Sequence, residues 1–359
     1  MKFTLPIALF LLLLSSCANM VAPTGGKKDM SPPLLLSINS ELKTKQPNQK
    51  LISFEFDEFI AINKWEDNIY ISPPIKKQIQ KKVKGTKLFL TIEDTLAEKT
   101  TYNLVLNSSI KDLNEGNVLE TLNYIFSTSD VFDTLTLAGK FQDAYTLDAI
   151  KNAWVMLFDE MKNDTVLFKE TPNYIAKTDK DGNFNFPNLN ANNYKIVALT
   201  DFDFIYNEDE KIAFNNTTIN AKKDSFISLL AFDPIVEIDS IAGDTTIINN
   251  DNTTIDSLLV EEVVYGNLAI ITSENNPCIF QLLQNNRVIK EWGFIEQPFL
   301  LTDIMPGKYQ LKFIEDANQN GKWTTGKWEN KTPPERVLNY HMEITIRSNW
   351  NLEIDWDIN

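Results

Sequence analysis

The sequence predicts an all-β protein: three consecutive antiparallel β-sandwich domains behind a short export segment. Three observations carry that reading. Apolar and polar residues alternate at a period of two, as in Ile52, Phe54 and Phe56 against Ser53, Glu55 and Asp57, the pattern of a strand with one buried face. The alternating runs are short and are broken by turn residues such as Ser72-Pro73-Pro74 and Lys84-Gly85, while no stretch past the leader keeps helical spacing over several turns. The chain also repeats itself: Leu189, Tyr194 and Asp201 are spaced like Ile304, Tyr309 and Asp316, which marks two copies of one unit.

Composition bounds the rest. A chain of 359 residues has room for two or three domains at roughly 100–150 residues each. With 43% hydrophobic and 23% charged residues it can fill packed cores. A net charge of −15 argues against a nucleic-acid partner, because phosphate binding needs a basic face. One histidine and two cysteines exclude most His/Cys metal clusters and any disulfide framework.

The first element is the leader. Met1-Lys2 is followed by an apolar run from Leu5 to Leu14, interrupted by Pro6 and too short for a spanning helix of ~20 residues. Leu14-Ser15-Ser16-Cys17 comes next and resembles the lipobox of bacterial lipoproteins. That resemblance implies a signal peptide over 1–16 and acylation of Cys17 on its thiol and new amine, with lipid chains such as palmitate. Acyl chains at ~0.8 kcal/mol per buried CH₂ then anchor the protein to a bilayer without threading it through. Ala18, where an aspartate would favour inner-membrane retention, points by resemblance to the outer membrane. Loss of Lys2 takes the formal charge from −15 to −16, and anionic headgroups would repel a body so charged. With Cys17 taken by lipid, Cys278 in Cys278-Ile279-Phe280 reads as a buried thiol.

Residues 17–33 are Gly/Pro/Lys-rich and read as a lipidated tether; its 16 residues after Cys17 reach some 50 Å at ~3.3 Å each. Alternation starts at Leu34 and returns in Leu88, Leu90 and Ile92 and in Tyr102, Leu104 and Leu106. The order FEFDEFI (54–60), ISPP (71–74), LFLTIEDTLAEKTTYNLVL (88–106), IKDLNEGN (110–117) and YIFSTSD (124–130) resembles the SbsA-type bacterial Ig-like domain, placed at 34–130. That family has no single activity. With the APTGGKKD tether, it resembles lipoproteins of Bacteroidota, in which a proline usually stands at Lys27.

Residues 131–237 continue with strand-like Leu135–Phe141 and Trp154–Phe158, a turn at Asp179-Lys180-Asp181-Gly182, and Asn193–Leu199. Their order resembles carboxypeptidase regulatory-like (transthyretin-like) sandwiches. Residues 238–263, rich in Asp, Asn, Thr and Ser, read as a linker or long loop. The repeat places a second transthyretin-like sandwich at 264–359, ending in Leu352, Ile354, Trp356 and Ile358 against Asn351, Glu353, Asp355 and Asp357.

Candidate chemistry is sparse. In Asp316-Ala317-Asn318-Gln319-Asn320-Gly321, oxygen side chains alternate and glycine stands sixth, as in the first half of a calcium loop. Asp316, Asn318 and Asn320 would be the ligands, yet the twelfth position is Lys327 rather than a bidentate Glu, so an Asn/Gly-rich turn competes. Five of seven tryptophans lie in the last domain, and Trp323 with Trp328 could stack a glycan. Asp179-Lys180-Asp181-Gly182 reads as a hairpin turn. His341 should face solvent with Glu343 and Thr345, opposite Met342, Ile344 and Ile346, and no nucleophile motif accompanies it. Triplets at Asp133, Asp164, Asp239, Asp244 and Asp256 look like O-glycosylation acceptors of exported Bacteroidota proteins.

The expectation is a cell-envelope lipoprotein without enzymatic activity. It would be lipid-anchored at the outer membrane, periplasmic or surface-facing, and act as a scaffold for an envelope protein partner. The alternative is a glycan- or calcium-binding module built on the C-terminal loops, with no other cofactor.

Overall fold

The computed structural model describes residues 26–42, 50–162, 170–200, 204–207, 210–233, 264–273 and 275–358. The leader, Cys17, most of the tether, residues 201–203, the 238–263 segment and the triplets at 164, 239, 244 and 256 lie outside the described residues. The chain is β-sandwich in class, built of several mainly antiparallel sheets. It divides into two compact units: Met1–Asn68 with Ile79–Ile92 and Leu106–Leu122, and Ile69–Gln78 with Glu93–Val105 and Asn123–Asn359.

The first eleven elements are β1 (Leu35–Leu42), β2 (Lys50–Phe56), β3 (Ile60–Ile62), α1 (Trp65–Asn68), β4 (Tyr70–Ser72), β5 (Gln80–Lys84), β6 (Lys87–Ile92), β7 (Thr101–Val105), β8 (Ile110–Asp112), β9 (Val118–Leu119) and β10 (Asn123–Ser127). The first unit holds the sheets β1-β2-β6-β5 and β3-β8-β9, both antiparallel. Here alternation becomes burial: Ile52, Phe54, Leu88, Leu90 and Ile92 are wholly buried, and Ser53, Glu55, Phe89 and Thr91 are half-buried on the other face. Lys50 keeps the core-facing register and is buried, which pushes its ammonium down to about 8.

The second unit begins with β10-β7-β4. Strand β7 is buried on both faces although Asn103 interrupts its apolar residues. The reason is a neighbour. Ser72, opposite Asn103 in the sheet, accepts the Ile175 N–H at 3.0 Å, and Thr101 accepts that of Asp133 at 2.8 Å. Tyr70 meets Trp154 edge-on at 5.3 Å, and burial pushes its phenol up to about 12.

Two copies of one topology follow. The first comprises β11 (Leu135–Asp143), β12 (Trp154–Asp159), β13 (Tyr174–Lys177), β14 (Asn183–Leu189), β15 (Asn193–Leu199), β16 (Ile212–Phe214), β17 (Ile219–Asn220) and β18 (Phe226–Ala231). The second comprises β19 (Gly266–Ile271), β20 (Cys278–Gln284), β21 (Arg287–Phe294), β22 (Phe299–Ile304), β23 (Gly307–Glu315), β24 (Val337–Asn339), β25 (Ile344–Ile346) and β26 (Asn351–Asp355). Strand orders β14-β11-β18 and β13-β12-β15-β16 recur as β22-β19-β26 and β21-β20-β23-β24, with β17 on β15 and β25 on β23. Each copy closes with its first and last strands side by side and parallel, so the sandwiches are not purely antiparallel as expected.

The repeated tyrosine explains its own spacing. Tyr194 and Tyr309 are buried, and each hydroxyl donates to a group four residues back, Asn190 Oδ1 and the Met305 carbonyl. A buried phenol needs such a partner, so the corner before β15 and β23 fixes the distance from Leu189 and Ile304.

One turn differs from its expectation. Asp179–Gly182 does not join hairpin partners, because β13 pairs with β12 whereas β14 pairs with β11. The turn carries the chain from one sheet to the other. Asp179 accepts the N–H groups of Asp181 and Asn183, and Gly182 takes φ +77°, where a Cβ would lie 2.5 Å from the Phe141 carbonyl.

Phe280 sits at the centre of the last core, within 6.3 Å of the rings of Phe294, Phe299, Phe313 and Trp356. Phe280→Ala is expected to destabilise this sandwich by about 3–5 kcal/mol, read from chemical denaturation. A loss below about 1 kcal/mol would show that this core does not depend on it.

Candidate functional site

The loop between β23 and β24 gathers every metal- and ligand-candidate residue past the leader. Asp316, directly after β23, is buried; its two carboxylate oxygens accept the Asn320 and Gly321 N–H groups at 3.0 Å each. Asn318 Oδ1 shares the Asn320 N–H at 3.0 Å, and Asn320 Oδ1 accepts that of Lys322 at 2.8 Å. Both asparagine amides donate to Thr324 Oγ1, at 2.6 and 3.0 Å. Gly321 takes φ +72°, which lets the chain wind around these oxygens. The motif therefore folds as a turn whose side chains close on its own backbone.

Sequence reasoning missed Glu335, which closes the same loop from its far end. Its carboxylate accepts the Thr324 N–H at 2.8 Å and the Asn318 N–H at 3.4 Å, and its carbonyl accepts the Trp323 indole N–H at 3.0 Å. Burial and the nearby Asp316 charge hold Glu335 above the usual carboxylate range. No local pattern marks a lone glutamate after Pro333-Pro334, so the sequence carries no signal for it.

Both candidate tryptophans take part in apolar packing. Trp328 is 7% exposed. Its ring meets Phe214 at 5.3 Å and Tyr206 at 6.1 Å, and Lys331 lies over it. It belongs to a cluster with Met156, Phe158, Val197, Leu199 and Phe232, the outer face of β12 and β15. Trp323 is half-buried and tilted on Tyr145 at 5.1 Å. Gly326 is required here, since a Cβ would come within 2.7 Å of the Phe232 ring, and Thr325 donates to the Asp233 carbonyl at 2.7 Å.

The joint is reciprocal. Tyr145 and Leu147, just past β11, cover Ile279, Ile314 and Val337 on the outer face of β20, β23 and β24. Glu291, Gln281, Lys312 and Asn339 form one row across the four strands of that sheet. Gln281 donates to Glu291 at 2.6 Å and bonds the Tyr145 hydroxyl; Lys312 donates to the Tyr145 carbonyl at 2.8 Å, its Nζ 4.2 Å from the ring centre. Burial pushes the Lys312 ammonium down against the pull of Asp143 and Asp148. Asp143 holds the Tyr145 turn by accepting the N–H groups of Tyr145 and Thr146 and pairing with Lys211. Burial raises its pKa, but the Lys211 ammonium and those amides outweigh it and leave the carboxyl below its usual value.

Elsewhere, Cys278 is a buried thiol on β20. His341 is exposed beside Tyr340 and lines a notch of about 370 Å³ with Tyr145, Lys312 and Glu343. Met342, expected in the apolar face, is 54% exposed because β25 begins at Ile344. Glu58, Asp112 and Glu115 cluster closely, but Asp112 is already taken by the N–H groups of Glu115, Gly116 and Asn117.

Residues 29–128 match the bacterial Ig-like domain family. The match covers less than a third of the chain. No curated protein matches. Among solved structures, the chain resembles BcpA, the major pilin subunit of Bacillus cereus, at 9% identity over 51% of this chain and 64% of that one, with a TM-score of 0.19. It also resembles the Bacillus anthracis TIE protein at 11% identity, over 94% and 59% of the two chains and a TM-score of 0.19. For the N-terminal part of the S-layer protein SbsC the values are 14%, 56%, 44% and 0.19. The chain thus spans less than two thirds of these structures. The Ig-like match accounts for β1 to β10, and the joint described above lies wholly beyond it.

Trp328→Ala should cost about 3–5 kcal/mol and expose residues 316–336 to protease, whereas unchanged proteolysis would remove the loop's joining role. The melting temperature is expected to be the same in millimolar calcium and in chelator; a calcium-dependent rise of several degrees would return the loop to metal binding. Because the folded pKa of Asp143 lies below the ordinary 3.8, its stabilisation is present above pH 3.8 and is lost as pH falls through the lowered value. Hydrogen exchange in residues 143–148 should accelerate there, and Asp143→Asn should remove that acid step.

Proposed function

We propose that this protein is a non-enzymatic scaffold of the cell envelope, lipid-anchored through Cys17 at the outer membrane, whose sandwiches offer a protein-binding surface. One observation carries the reading. The side chains best suited to ligand chemistry in the C-terminal half, Asp316, Asn318, Asn320, Trp323, Trp328 and Lys312, are engaged in the loop and the sandwich joint. A protein built to bind a small molecule there would leave some of them convergent and open. Instead, within the second unit β4 bonds β13 and the two repeated sandwiches bond each other at the Tyr145 turn and the 316–336 loop, which suits a body that must hold these surfaces in fixed relation. The lipobox-like Leu14–Cys17 and the Ig-like match at 29–128 support an envelope setting. The likeness of the two repeated sandwiches to carboxypeptidase regulatory-like domains supports an accessory role, since the fold alone assigns no chemistry.

Crosslinking of intact cells, followed by purification of the tagged, acylated protein, tests this. A reproducible protein partner retained in free sugars and chelator is the expected result. A saturable glycan or metal with no protein partner would overturn the scaffold reading. Cys17→Ala should abolish acylation by intact mass, and continued partitioning of that variant into detergent would overturn the anchor.

A further inference from the structure

We propose that the outer face of the β1-β2-β6-β5 sheet docks on an anionic lipid surface through Lys82, Lys84 and Lys87 around Phe89. The chain is acidic overall, but its charge is unevenly divided. Residues 26–130 carry 14 basic and 14 acidic side chains, and residues 131–359 carry 19 and 35. Within the neutral part, four lysines fall in the seven residues 81–87.

The register sorts them. Lys82 stands opposite Phe89 and Lys84 opposite Lys87, so these three share the face that also bears Phe89 and Thr91, away from the buried Leu88 and Leu90. Lys81 points the other way, pairing with Glu66 at 3.2 Å and lying over Trp65. Lys87 pairs with Glu55 at 3.1 Å. Lys82 and Lys84 are exposed, and neither has an ion-pair partner among the described residues.

Edge strands often carry lysine to discourage pairing with another chain. That purpose does not require the charges to share a face. Nor does it require Lys84 opposite Lys87, since like charges facing across a hairpin cost stability. Two exposed lysines beside Phe89, on a face whose Glu55 is already paired with Lys87, are complementary to lipid phosphates over an apolar layer. The occupant follows from the spacing to the proposed anchor: β1 starts at Leu35, eighteen residues after Cys17, a reach of at most roughly 60 Å. This proximity rests on the lipid-anchor reading. The acidic residues of 131–359 would be repelled by the same surface.

The mature chain, purified without acyl groups, should co-sediment with vesicles of phosphatidylcholine and phosphatidylglycerol but not with phosphatidylcholine alone, and high salt should release it. Lys82→Gln with Lys84→Gln should weaken binding roughly 25-fold, at about fivefold per lysine, while Lys82→Arg with Lys84→Arg should retain it. Equal binding to both vesicle types, or to neither, would overturn the proposal. So would salt-sensitive self-association without vesicles, which would assign the face to the acidic half of a second copy. Because the protein tested carries no lipid, failure here leaves Cys17 acylation to be judged separately by intact mass.

Discussion

The constraint on which the C-terminal half depends is that its two larger sheets bury apolar side chains on both faces, the second beside a row of polar ones. Strand β12 buries Val155 and Leu157 in the inner core and Met156 and Phe158 in an outer one. Strand β20 does the same with Phe280 and Leu282 inside and Ile279 outside. A sandwich supplies one apolar neighbour per sheet, so the second face must be covered by something else. The covers are exchanged: the 316–336 loop of the second copy lies on the first, and the Tyr145 turn of the first lies on the second. Without the contact the first copy would expose Met156, Phe158, Val197 and Leu199, and the second Ile279, Ile314 and Val337.

This also explains what could be read in advance. Strands with one wet face declare themselves by alternation, as β2, β6 and the final strand do. The doubly buried strands declare themselves differently, by unbroken apolar runs such as Trp154–Phe158 and Cys278–Phe280. Such a run says that both faces are covered but not by what. Likewise the repeat of Leu, Tyr and Asp disclosed two copies of one fold, and the buried tyrosine hydroxyls supply its physical cause. The parallel pairing of first and last strands could not be seen, because a strand's sequence pattern reflects its faces and not the direction of its neighbour. The Asp179–Gly182 turn misled for a related reason. Asp-Gly marks a reversal, and a reversal serves a hairpin or a passage between sheets equally well.

At the candidate site the pattern marks residues that fall in one loop, and it does not disclose their company. Asp316, Asn318, Asn320 and Gly321 do converge, because a short Asn/Gly-rich segment must satisfy its own amides, and side-chain oxygens two to five residues away are the nearest acceptors. The same physics that makes such a segment resemble a cation loop lets it close on itself. What completes the loop is distant in sequence: Glu335 from beyond two prolines, Tyr145 and Phe232 from the preceding sandwich. Spacing rules hold no information about partners across a domain joint.

The two copies differ most at one edge, and the difference follows from their order in the chain. In the first copy, the edge strand β13 is four residues long and buried, with the Ile175 N–H bonded to Ser72 of β4. In the second, its counterpart β21 runs for eight residues and is largely open. It stands at the edge of its sheet and carries features that resist pairing. Lys290 supplies a charge there and reaches across to the carbonyls of Thr302 and Asp303 on β22, at 2.9 Å each, tying one sheet edge to the other. A register shift between Leu282 and Leu283 disturbs the flat ladder beside it. These are the devices by which an exposed edge is kept from recruiting strands. The difference between β13 and β21 thus follows what each edge meets among the described residues, on the same underlying fold.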